Sequence, residues 1–356
     1  MKKPKILLVE PAEYYREFGI LNELESVFDI EYPSFLLSCT LYKIKSGYYC
    51  YLMTCIFHSP LSRFLTCFAR EYKISSVYFM DGIGDFANFK FNKITLKLGI
   101  KQLLPPMHDL VYCVDPYTRD YVDGFGVKAK IYQNKRVFSK MPSMNNSADE
   151  VVEGSSMKAL ITLANTPALN DLENKLIKSL IVEISNALDR KNIDIIYRLY
   201  DEEYIPYQYN YKENRVECGI EEAISDIDLF FSSSSSVLIP FMMKNKPVCL
   251  LDYRYLPIFL QTGWRISSLD YIDTVVESMV SKDKDCMLFQ KNIVETLSSN
   301  SALDLNSNSL IEKQCARDIS YLGMFGFGLE YYKRYFYKLL KKGFLKKILK
   351  NMRKDK

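Results

Sequence analysis

The sequence predicts an α/β protein made of two facing Rossmann-like domains, with a cleft between them and a basic amphipathic helix at the C-terminal end. Three observations lead to this prediction. Short apolar segments alternate with segments of helical spacing, the composition changes between Met141 and Ser156, and lysines dominate residues 331–356. Alternating strands and helices are typical of a parallel sheet covered by helices.

The first domain is predicted from the first half of the chain. Its apolar segments predict strands at Lys5 to Val9, Val77 to Met80, Leu110 to Val114 and Lys130 to Tyr132. The helical spacing of Phe18, Leu21, Leu24 and Val27 predicts one helix from Arg16 to Phe28. Residues 33–70 show no clean period, and we interpret them as mixed structure.

The second domain is predicted to follow a linker at residues 141–156, which are rich in Ser, Asn and acidic residues. A strand is predicted from Lys158, followed by a helix from Asp171 to Asp189, a strand from Ile193 to Tyr197 and a short helix from Glu217 to Ser225. The long helix has apolar residues at Leu172, Leu176, Leu180 and Ile184. We therefore assign residues 1–145 to the first domain, residues 157–325 to the second and residues 326–356 to a tail.

A run of five serines, Ser232 to Ser236, is the most informative motif of the chain. It follows the mostly apolar segment Ile227 to Phe231 and precedes the apolar segments Val237 to Met243 and Val248 to Leu251. This order predicts strand, loop, helix and strand. Backbone N–H groups and hydroxyls at such a turn can hold a phosphate, as in a sugar nucleotide. A serine-rich helix cap without a ligand is the alternative.

The composition argues against several classes of protein. The chain has 356 residues, of which 48% are hydrophobic and 25% charged, enough for two domains with their own cores. Nine cysteines without a Cys-x-x-Cys pair argue against a disulfide framework or a zinc site and favour a reducing compartment. The first residues predict a strand instead of a signal peptide, and no apolar run reaches the roughly 18 residues of a membrane span.

The charge is unevenly distributed along the chain. Residues 331–356 carry eleven Lys or Arg and one Asp, which gives this segment a net charge of +10. Because the whole chain has a net charge of +4, the other residues together carry −6. Apolar residues of this tail recur at every fourth position from Tyr332 to Met352. Such a basic amphipathic helix suits an anionic membrane surface, and an ordinary helix that closes a domain is the alternative. The acidic body argues against nucleic acid as a partner.

The order of these parts resembles the two-domain glycosyltransferases known as GT-B, most clearly in sequence from Glu221 to Asp252. It is most similar to bacterial sialyltransferases and polysialyltransferases, which share an acidic-acidic-Gly motif in the first domain. Met80-Asp81-Gly82 matches the last two positions of that motif. The resemblance implies that Asp81 is the general base, with Asp85 as the local rival and Gly82 at the substrate site. A simple Asp-Gly turn is the alternative.

The same resemblance assigns the serine run to the donor. Ser233, Ser234 and Ser235, with Ser236 beside them, would hold the donor phosphate and stabilise charge on the leaving nucleotide. Such a site requires no metal and no cofactor.

The family's His-Pro motif is missing, because neither of the two histidines, His58 and His108, precedes a proline. Arg198 stands after a predicted strand where that motif is expected and could meet a phosphate; an ordinary surface arginine is the alternative. This departure makes a UDP-activated or other sugar as plausible as a CMP-activated one. His108 is interpreted as a structural residue.

Further residues follow strands of the second domain. Asn165 and Thr166 lie in a loop that faces the cleft in two-domain transferases, and Glu221 begins a segment that lies near the ribose in such folds. Asp252 and Tyr253 are expected to line the same cleft. A loop role for the first pair and a helix-start role for Glu221 are the alternatives.

The resulting prediction is a metal-independent, inverting glycosyltransferase of capsule or lipopolysaccharide synthesis. Its partners would be a nucleotide-sugar donor, a glycan or lipid-linked acceptor and, through residues 331–356, the inner face of a membrane. Three alternatives stay open at this point: a sugar-nucleotide epimerase, a polyol-phosphate transferase, and a degenerate transferase kept as an assembly partner.

Overall fold

The computed structural model describes residues 3–56, 59–91, 107–138, 156–164, 166–217, 220–254 and 256–298. Two parallel sheets form in this part of the chain, one on each side of residues 139–155, and confirm the α/β fold with two Rossmann-like domains. We call residues 3–138 the first domain and residues 156–298 the second; the boundaries given above remain predictions. Residues 141–155 of the predicted linker and the predicted C-terminal helix lie outside the described residues.

The first sheet has the strand order β2-β1-β3-β4-β5-β6, and every neighbouring pair is parallel. Its strands are β1 (Lys5–Leu8), β2 (Asp29–Glu31), β3 (Tyr51–Thr54), β4 (Ser75–Phe79), β5 (Leu110–Cys113) and β6 (Lys128–Ile131). The described helices of this domain are α1 (Ala12–Glu17), α2 (Leu21–Val27), α3 (Leu37–Lys45), α4 (Pro60–Glu71), α5 (Phe86–Phe91), α6 (Pro116–Asp123) and α7 (Lys135–Phe138).

The predicted helix from Arg16 to Phe28 is in fact the two helices α1 and α2. Gly19 separates them with a φ of +78°, a left-handed conformation that side chains rarely adopt. An ideal Cβ on Gly19 would also lie 2.2 Å from Cδ of Lys135, so this turn requires glycine. The prediction of a single helix was wrong because the apolar spacing continues across the turn.

The segment without a clean period, residues 33–70, contains α3, β3 and α4. All four residues of β3 are buried. A strand that is buried on both faces reads as a continuous apolar run, which removes the alternation expected of a half-exposed strand.

The second sheet has the order β11-β10-β9-β7-β8 and is also entirely parallel. Its strands are β7 (Lys158–Thr162), β8 (Asp194–Arg198), β9 (Leu229–Ser232), β10 (Val248–Leu251) and β11 (Trp264–Ile266). Its described helices are α8 (Asp171–Arg190), α9 (Ile220–Ala223), α10 (Leu238–Met243), α11 (Ile272–Val280) and α12 (Lys284–Ser298).

The long helix α8 packs on the second sheet through Ile177, Leu180, Ile181 and Ile184, each at most 4% exposed. Leu172, which the sequence places on this face, is 60% exposed. Residues four apart in a helix drift by roughly 40° per step, so a row of such residues leaves the buried face after two or three steps.

The strand order reverses at one point in each sheet, between β1 and β3 in the first and between β7 and β9 in the second. Ligands of doubly wound sheets bind outside the carboxyl ends of the strands at such reversals. In the second sheet, Thr162 of β7 pairs with Ser232 of β9 at this end. The serine run therefore leaves the sheet at the switch point and leads into α10, as the sequence predicts.

The switch point of the first sheet is filled by the buried carboxylate of Glu10. It accepts hydrogen bonds from the hydroxyls of Tyr15 at 2.8 Å, Thr54 at 2.6 Å and Ser62 at 2.5 Å, and from the Cys55 N–H at 2.9 Å. Its oxygens are therefore engaged by the protein, and this carboxylate organises the loops around it.

Candidate functional site

A cleft of about 440 Å³ lies between the two sheets and receives side chains from both domains. The loops after β4, β7, β8 and β9 and the helix α7 after β6 form its walls. Among the predicted site residues, the cleft brings together Asp81, Gly82, Asp85, Thr166, Arg198, Ser234, Ser235 and Ser236.

Asp81 follows β4 and lies on the first-domain wall of the cleft with its side chain exposed. The backbone before it is fixed, because the carbonyl of Met80 accepts hydrogen bonds from the Tyr132 hydroxyl and, at 3.2 Å, from Nδ2 of Asn134. Burial raises the pKa of Tyr132 well above its ordinary value, and the charge of Asp81 raises it further. Tyr132 therefore remains a hydrogen-bond donor, and Asp81 is a carboxylate on a rigid support.

Asp85 lines the same wall, but both of its oxygens are engaged. Oδ2 accepts a hydrogen bond from Nη1 of Arg254 at 2.7 Å, across the interface between the domains. Oδ1 accepts from the N–H groups of Ala87 at 2.9 Å and Asn88 at 3.2 Å, and so caps helix α5. Because both oxygens of Asp85 are already engaged by the protein, Asp81 is the better placed of the two carboxylates to meet a ligand in the cleft.

The serines of the run occupy three different environments. Ser232 and Ser233 are buried, and Oγ of Ser233 accepts a hydrogen bond from the Ala164 N–H at 2.8 Å. Ser233 does not line the cleft, so the structure places it as a support of the loop after β7. Ser234 and Ser235 are half-buried on the second-domain wall of the cleft, where their hydroxyls can meet a ligand.

Ser236 joins the two domains. Its Oγ accepts a hydrogen bond from the Ile83 N–H at 2.9 Å. An ideal Cβ on Gly82 would lie 2.4 Å from the same oxygen, so glycine permits this close approach of the two walls. Part of the predicted phosphate loop therefore holds the loop that carries Asp81.

Arg198 ends β8 and lies on the second-domain wall of the cleft. Nη2 donates to the Tyr200 hydroxyl at 3.1 Å, and the guanidinium lies 5.3 Å from the centre of the Tyr200 ring. Nε is buried without a hydrogen-bond partner, and no carboxylate among the described residues pairs with this side chain. A cation without a protein counter-ion in a cleft is suited to an anionic ligand.

The remaining predicted residues lie outside the cleft or outside the described residues. Asn165 and the side chain of Glu221 belong to the undescribed part of the chain, although the backbone of Glu221 lies in α9. Asp252 and Tyr253 line a separate cavity of about 420 Å³, so their predicted place in the cleft was wrong. Contacts with the protein hold both side chains outside the cleft. Asp252 pairs with Arg265, and the Tyr253 hydroxyl donates to the Pro167 carbonyl at 2.6 Å.

His108 is a core residue of the first domain. It is 3% exposed, its ring stacks on Tyr78 with 5.3 Å between centres, and Nε2 lies 3.3 Å from Oγ1 of Thr66. Burial lowers the pKa of His108 to about 3, so the ring is neutral and takes no part in the cleft.

Sequence reasoning missed four residues of the site: Asn88, Arg136, Tyr200 and Arg254. The first three line the cleft, and Arg254 holds Asp85. Arg254 follows β10 as Asp252 does, so the end of a parallel strand was an available signal. Arg136 lies in the short helix α7, and no sequence pattern marks it.

In the described parts of the chain, no group of three or more His, Cys, Asp or Glu side chains is placed to bind a metal ion. No helix described here is long and apolar enough to span a bilayer.

No protein-family model matches the sequence, and no protein of curated function matches it either. Among solved structures, that of S. aureus MnaA with UDP has a TM-score of 0.50, is 10% identical and covers 90% of this chain and 100% of its own. A putative UDP-N-acetylglucosamine 2-epimerase from Listeria monocytogenes has a TM-score of 0.53, is 8% identical and covers 83% of this chain and 94% of its own. Similarity at this level establishes the two-domain fold.

Proposed function

We propose that the protein is a glycosyltransferase that moves a sugar from a nucleotide donor to a hydroxyl of a glycan or lipid-linked acceptor. The nucleotide would lie on the second-domain wall, and the acceptor on the wall that carries Asp81. The observation that carries this proposal is the arrangement of one cleft, with a free carboxylate on one wall and Arg198 with two serine hydroxyls on the other.

In the proposed reaction, Asp81 takes the proton of the acceptor hydroxyl as that oxygen attacks the anomeric carbon of the donor sugar. The bond from this carbon to the donor phosphate oxygen breaks, and the nucleotide leaves with the electron pair. Arg198 and the hydroxyls of Ser234 and Ser235 would stabilise the negative charge that grows on the leaving phosphate. A single displacement of this kind inverts the anomeric centre.

Two observations bear on the base of the donor nucleotide. The resemblance to sialyltransferases rests on Asp81-Gly82 and the serine run, and the missing His-Pro motif argues against a CMP-activated donor. UDP is bound in the S. aureus structure that shares this fold, which supports a UDP-activated sugar as a candidate. We therefore propose a nucleotide-activated sugar without restricting the base.

A sugar-nucleotide epimerase is the second candidate, because the Listeria protein of similar fold is named as one. Epimerases of this shape typically use several histidines and carboxylates in the cleft. The described lining of the cleft contains no histidine, and one of its two aspartates is neutralised by Arg254. This composition favours transfer to an acceptor over epimerisation.

The basic residues of the tail suggest where the acceptor is met. We propose that residues 331–356 hold the protein at the inner face of a bacterial membrane, near a lipid-linked acceptor of capsule or lipopolysaccharide synthesis. The charge and the apolar spacing of that segment support this placement.

A thermal-shift panel of CMP, CDP, UDP, GDP and TDP tests the proposal. One nucleotide should stabilise the protein by about 2.7 kcal/mol when present at a hundred times its dissociation constant. Arg198→Ala should reduce that response, whereas Arg190→Ala, a surface arginine paired with Asp273 on helix α8, should not. If no nucleotide changes the melting temperature, the protein is better explained as a degenerate transferase that serves as an assembly partner.

A further inference from the structure

The cleft has more positive than negative side chains once the ion pair of Asp85 is taken into account. Asp85 is neutralised by Arg254, which leaves Asp81, Arg136 and Arg198 as the charged side chains of the described lining. Arg198 lies on the second-domain wall with the serines, where the donor phosphates are proposed. Arg136 is a second cation on the opposite wall, and the donor site does not use it.

Arg136 is held beside the candidate base by a short chain of hydrogen bonds. Its backbone N–H donates to Oδ1 of Asn134 at 2.9 Å, and Nδ2 of Asn134 donates to the carbonyl of Met80 at 3.2 Å. Met80 directly precedes Asp81. The amide of Asn134 is buried, so this link fixes the start of α7 relative to the loop that carries the base.

Arg136 is exposed and lines the cleft, and no carboxylate of the described residues, Asp81 included, forms an ion pair with it. An arginine of the protein surface costs little when solvated, but a lone guanidinium that shares a cleft wall with a general base favours anionic ligands there. We propose that Arg136 binds a carboxylate or phosphate group of the acceptor, so that the acceptor of this enzyme is an anionic sugar. This inference rests on the proposed function, because it assigns the first-domain wall to the acceptor.

The rival explanation is that Arg136 reaches across the cleft to the donor phosphates. The two explanations differ in what the loss of Arg136 changes. If Arg136 binds the acceptor, Arg136→Ala leaves nucleotide affinity intact. If Arg136 binds the donor, Arg136→Ala weakens nucleotide affinity, as Arg198→Ala does.

The experiment uses the full-length protein, with and without the nucleotide that stabilises it most, and measures sugar binding by saturation-transfer NMR titration. Methyl glucuronoside is compared with methyl glucoside for the carboxylate, and glucose 6-phosphate with glucose for the phosphate. We expect at least one anionic sugar to bind more tightly than its neutral counterpart. Arg136→Ala should remove this preference by weakening anionic binding roughly ten- to a hundredfold, the usual effect of a lost charge-assisted hydrogen bond.

Two further variants keep the outcome interpretable. Arg136→Lys should retain part of the preference, because the charge remains. Lys135→Ala should retain all of it, because Lys135 lies in the same helix without lining the cleft and packs on Gly19. Equal binding of anionic and neutral sugars by the unmodified protein, or an unchanged preference in Arg136→Ala, overturns the inference.

Nucleotide titrations of the same variants test the role of Arg136 separately from the proposed transferase function. A nucleotide Kd that rises in Arg136→Ala assigns the residue to the donor and also overturns the inference, while the transferase proposal stands. If no nucleotide binds the unmodified protein, the transferase proposal fails, and the sugar titrations without nucleotide still decide whether Arg136 selects an anion.

Discussion

Nη1 of Arg254 in the second domain lies 2.7 Å from Oδ2 of Asp85 in the first, so a buried cation of one domain closes on a carboxylate of the other. The Arg254 side chain is only 5% exposed, and its Nη2 also donates to the carbonyls of Thr166 at 3.2 Å and Pro167 at 2.9 Å. One guanidinium therefore ties the loop after β4 to the loop after β7. Both loops line the cleft, so the shape of the candidate site depends on this arginine.

Replacing Arg254 with Ala should destabilise the protein by about 3–5 kcal/mol, the usual cost of removing one partner of a buried ion pair. The variant leaves Asp85 and the nearby Glu173, whose Oε2 lies 3.5 Å from Nε of Arg254, without their cation. Urea denaturation followed by circular dichroism measures the loss. Arg190→Ala is the matched control, because both members of the Arg190–Asp273 pair are exposed, at 54% and 65%, and the loss should be much smaller. Equal losses in the two variants would contradict the proposed role.

Replacing Asp81 with Asn should lower the transfer rate roughly 100- to 10,000-fold and leave nucleotide affinity unchanged, because the amide cannot accept the acceptor proton. Single-turnover transfer and calorimetric nucleotide titration give the two quantities. Asp85→Asn is the comparison: it weakens the pair with Arg254 and should affect stability more than chemistry. Near-normal turnover in Asp81→Asn would remove Asp81 from the mechanism.

Replacing serines of the run should separate binding from folding. Ser234→Ala with Ser235→Ala should weaken nucleotide binding at unchanged stability, because both side chains line the cleft. Ser233→Ala should instead cost about 1 kcal/mol of stability, because the half-buried Ala164 N–H loses its acceptor. Thermal unfolding and nucleotide titration of both variants test this division. Unchanged nucleotide affinity in the double variant would place the phosphate site elsewhere.

Much of the architecture follows from local sequence signals. The strands that were predicted from apolar runs, such as β7 after Lys158 and β10 at Val248–Leu251, are present, and the serine run does follow the end of a parallel strand. Such features depend on periodicity and on turn chemistry, which neighbouring residues determine. The break at Gly19 was missed because a positive φ leaves no trace in the apolar spacing.

The composition of the cleft could be predicted only in part. Asp81 and Ser234 each follow the carboxyl end of a parallel strand, where ligands of such sheets bind, so each could be marked as a site candidate from the sequence. Arg254 and Asp85 are 169 residues apart, and their pairing depends on how the two domains face each other. The environment of Ser233 was also hidden, since a serine that faces a backbone N–H and one that faces a cleft look alike in sequence.

The stability of the protein should decrease as the pH falls below about 6.5, because of His108. Burial, with smaller contributions from Arg70 and Arg63, lowers the pKa of His108 to about 3 in the folded protein. Between these two values the unfolded chain binds a proton that the folded chain does not, so the free energy of unfolding falls by up to about 1.4 kcal/mol per pH unit. The stability that neutral His108 provides is fully present above the unfolded pKa.

Urea denaturation at pH 7.5, 6.0 and 5.0, above the range in which most carboxylates titrate, measures this slope directly. His108→Gln should flatten the slope, whatever its absolute stability. A slope that survives in His108→Gln would show that His108 is protonated in the folded state or that other groups dominate.

Deleting residues 331–356 should release the protein from vesicles that contain anionic lipid, without lowering its melting temperature. The expected loss is large, because each Lys or Arg near such a surface contributes about 1 kcal/mol and the segment has a net charge of +10. Sedimentation with vesicles of mixed neutral and anionic lipid measures binding, and neutral vesicles should retain little protein.

Two full-length variants distinguish a membrane helix from a merely basic tail. Replacing Leu340, Phe344 and Ile348 with Ser keeps every charge but removes the apolar stripe, and it should weaken vesicle binding because the stripe is what enters the acyl boundary. Replacing Lys341, Lys342 and Lys346 with Gln keeps the stripe and should make binding less sensitive to salt. If the variant with Ser at positions 340, 344 and 348 binds as tightly as the unmodified protein, electrostatic attraction alone holds the tail at the surface. If the truncated protein binds equally well, the tail is not the anchor.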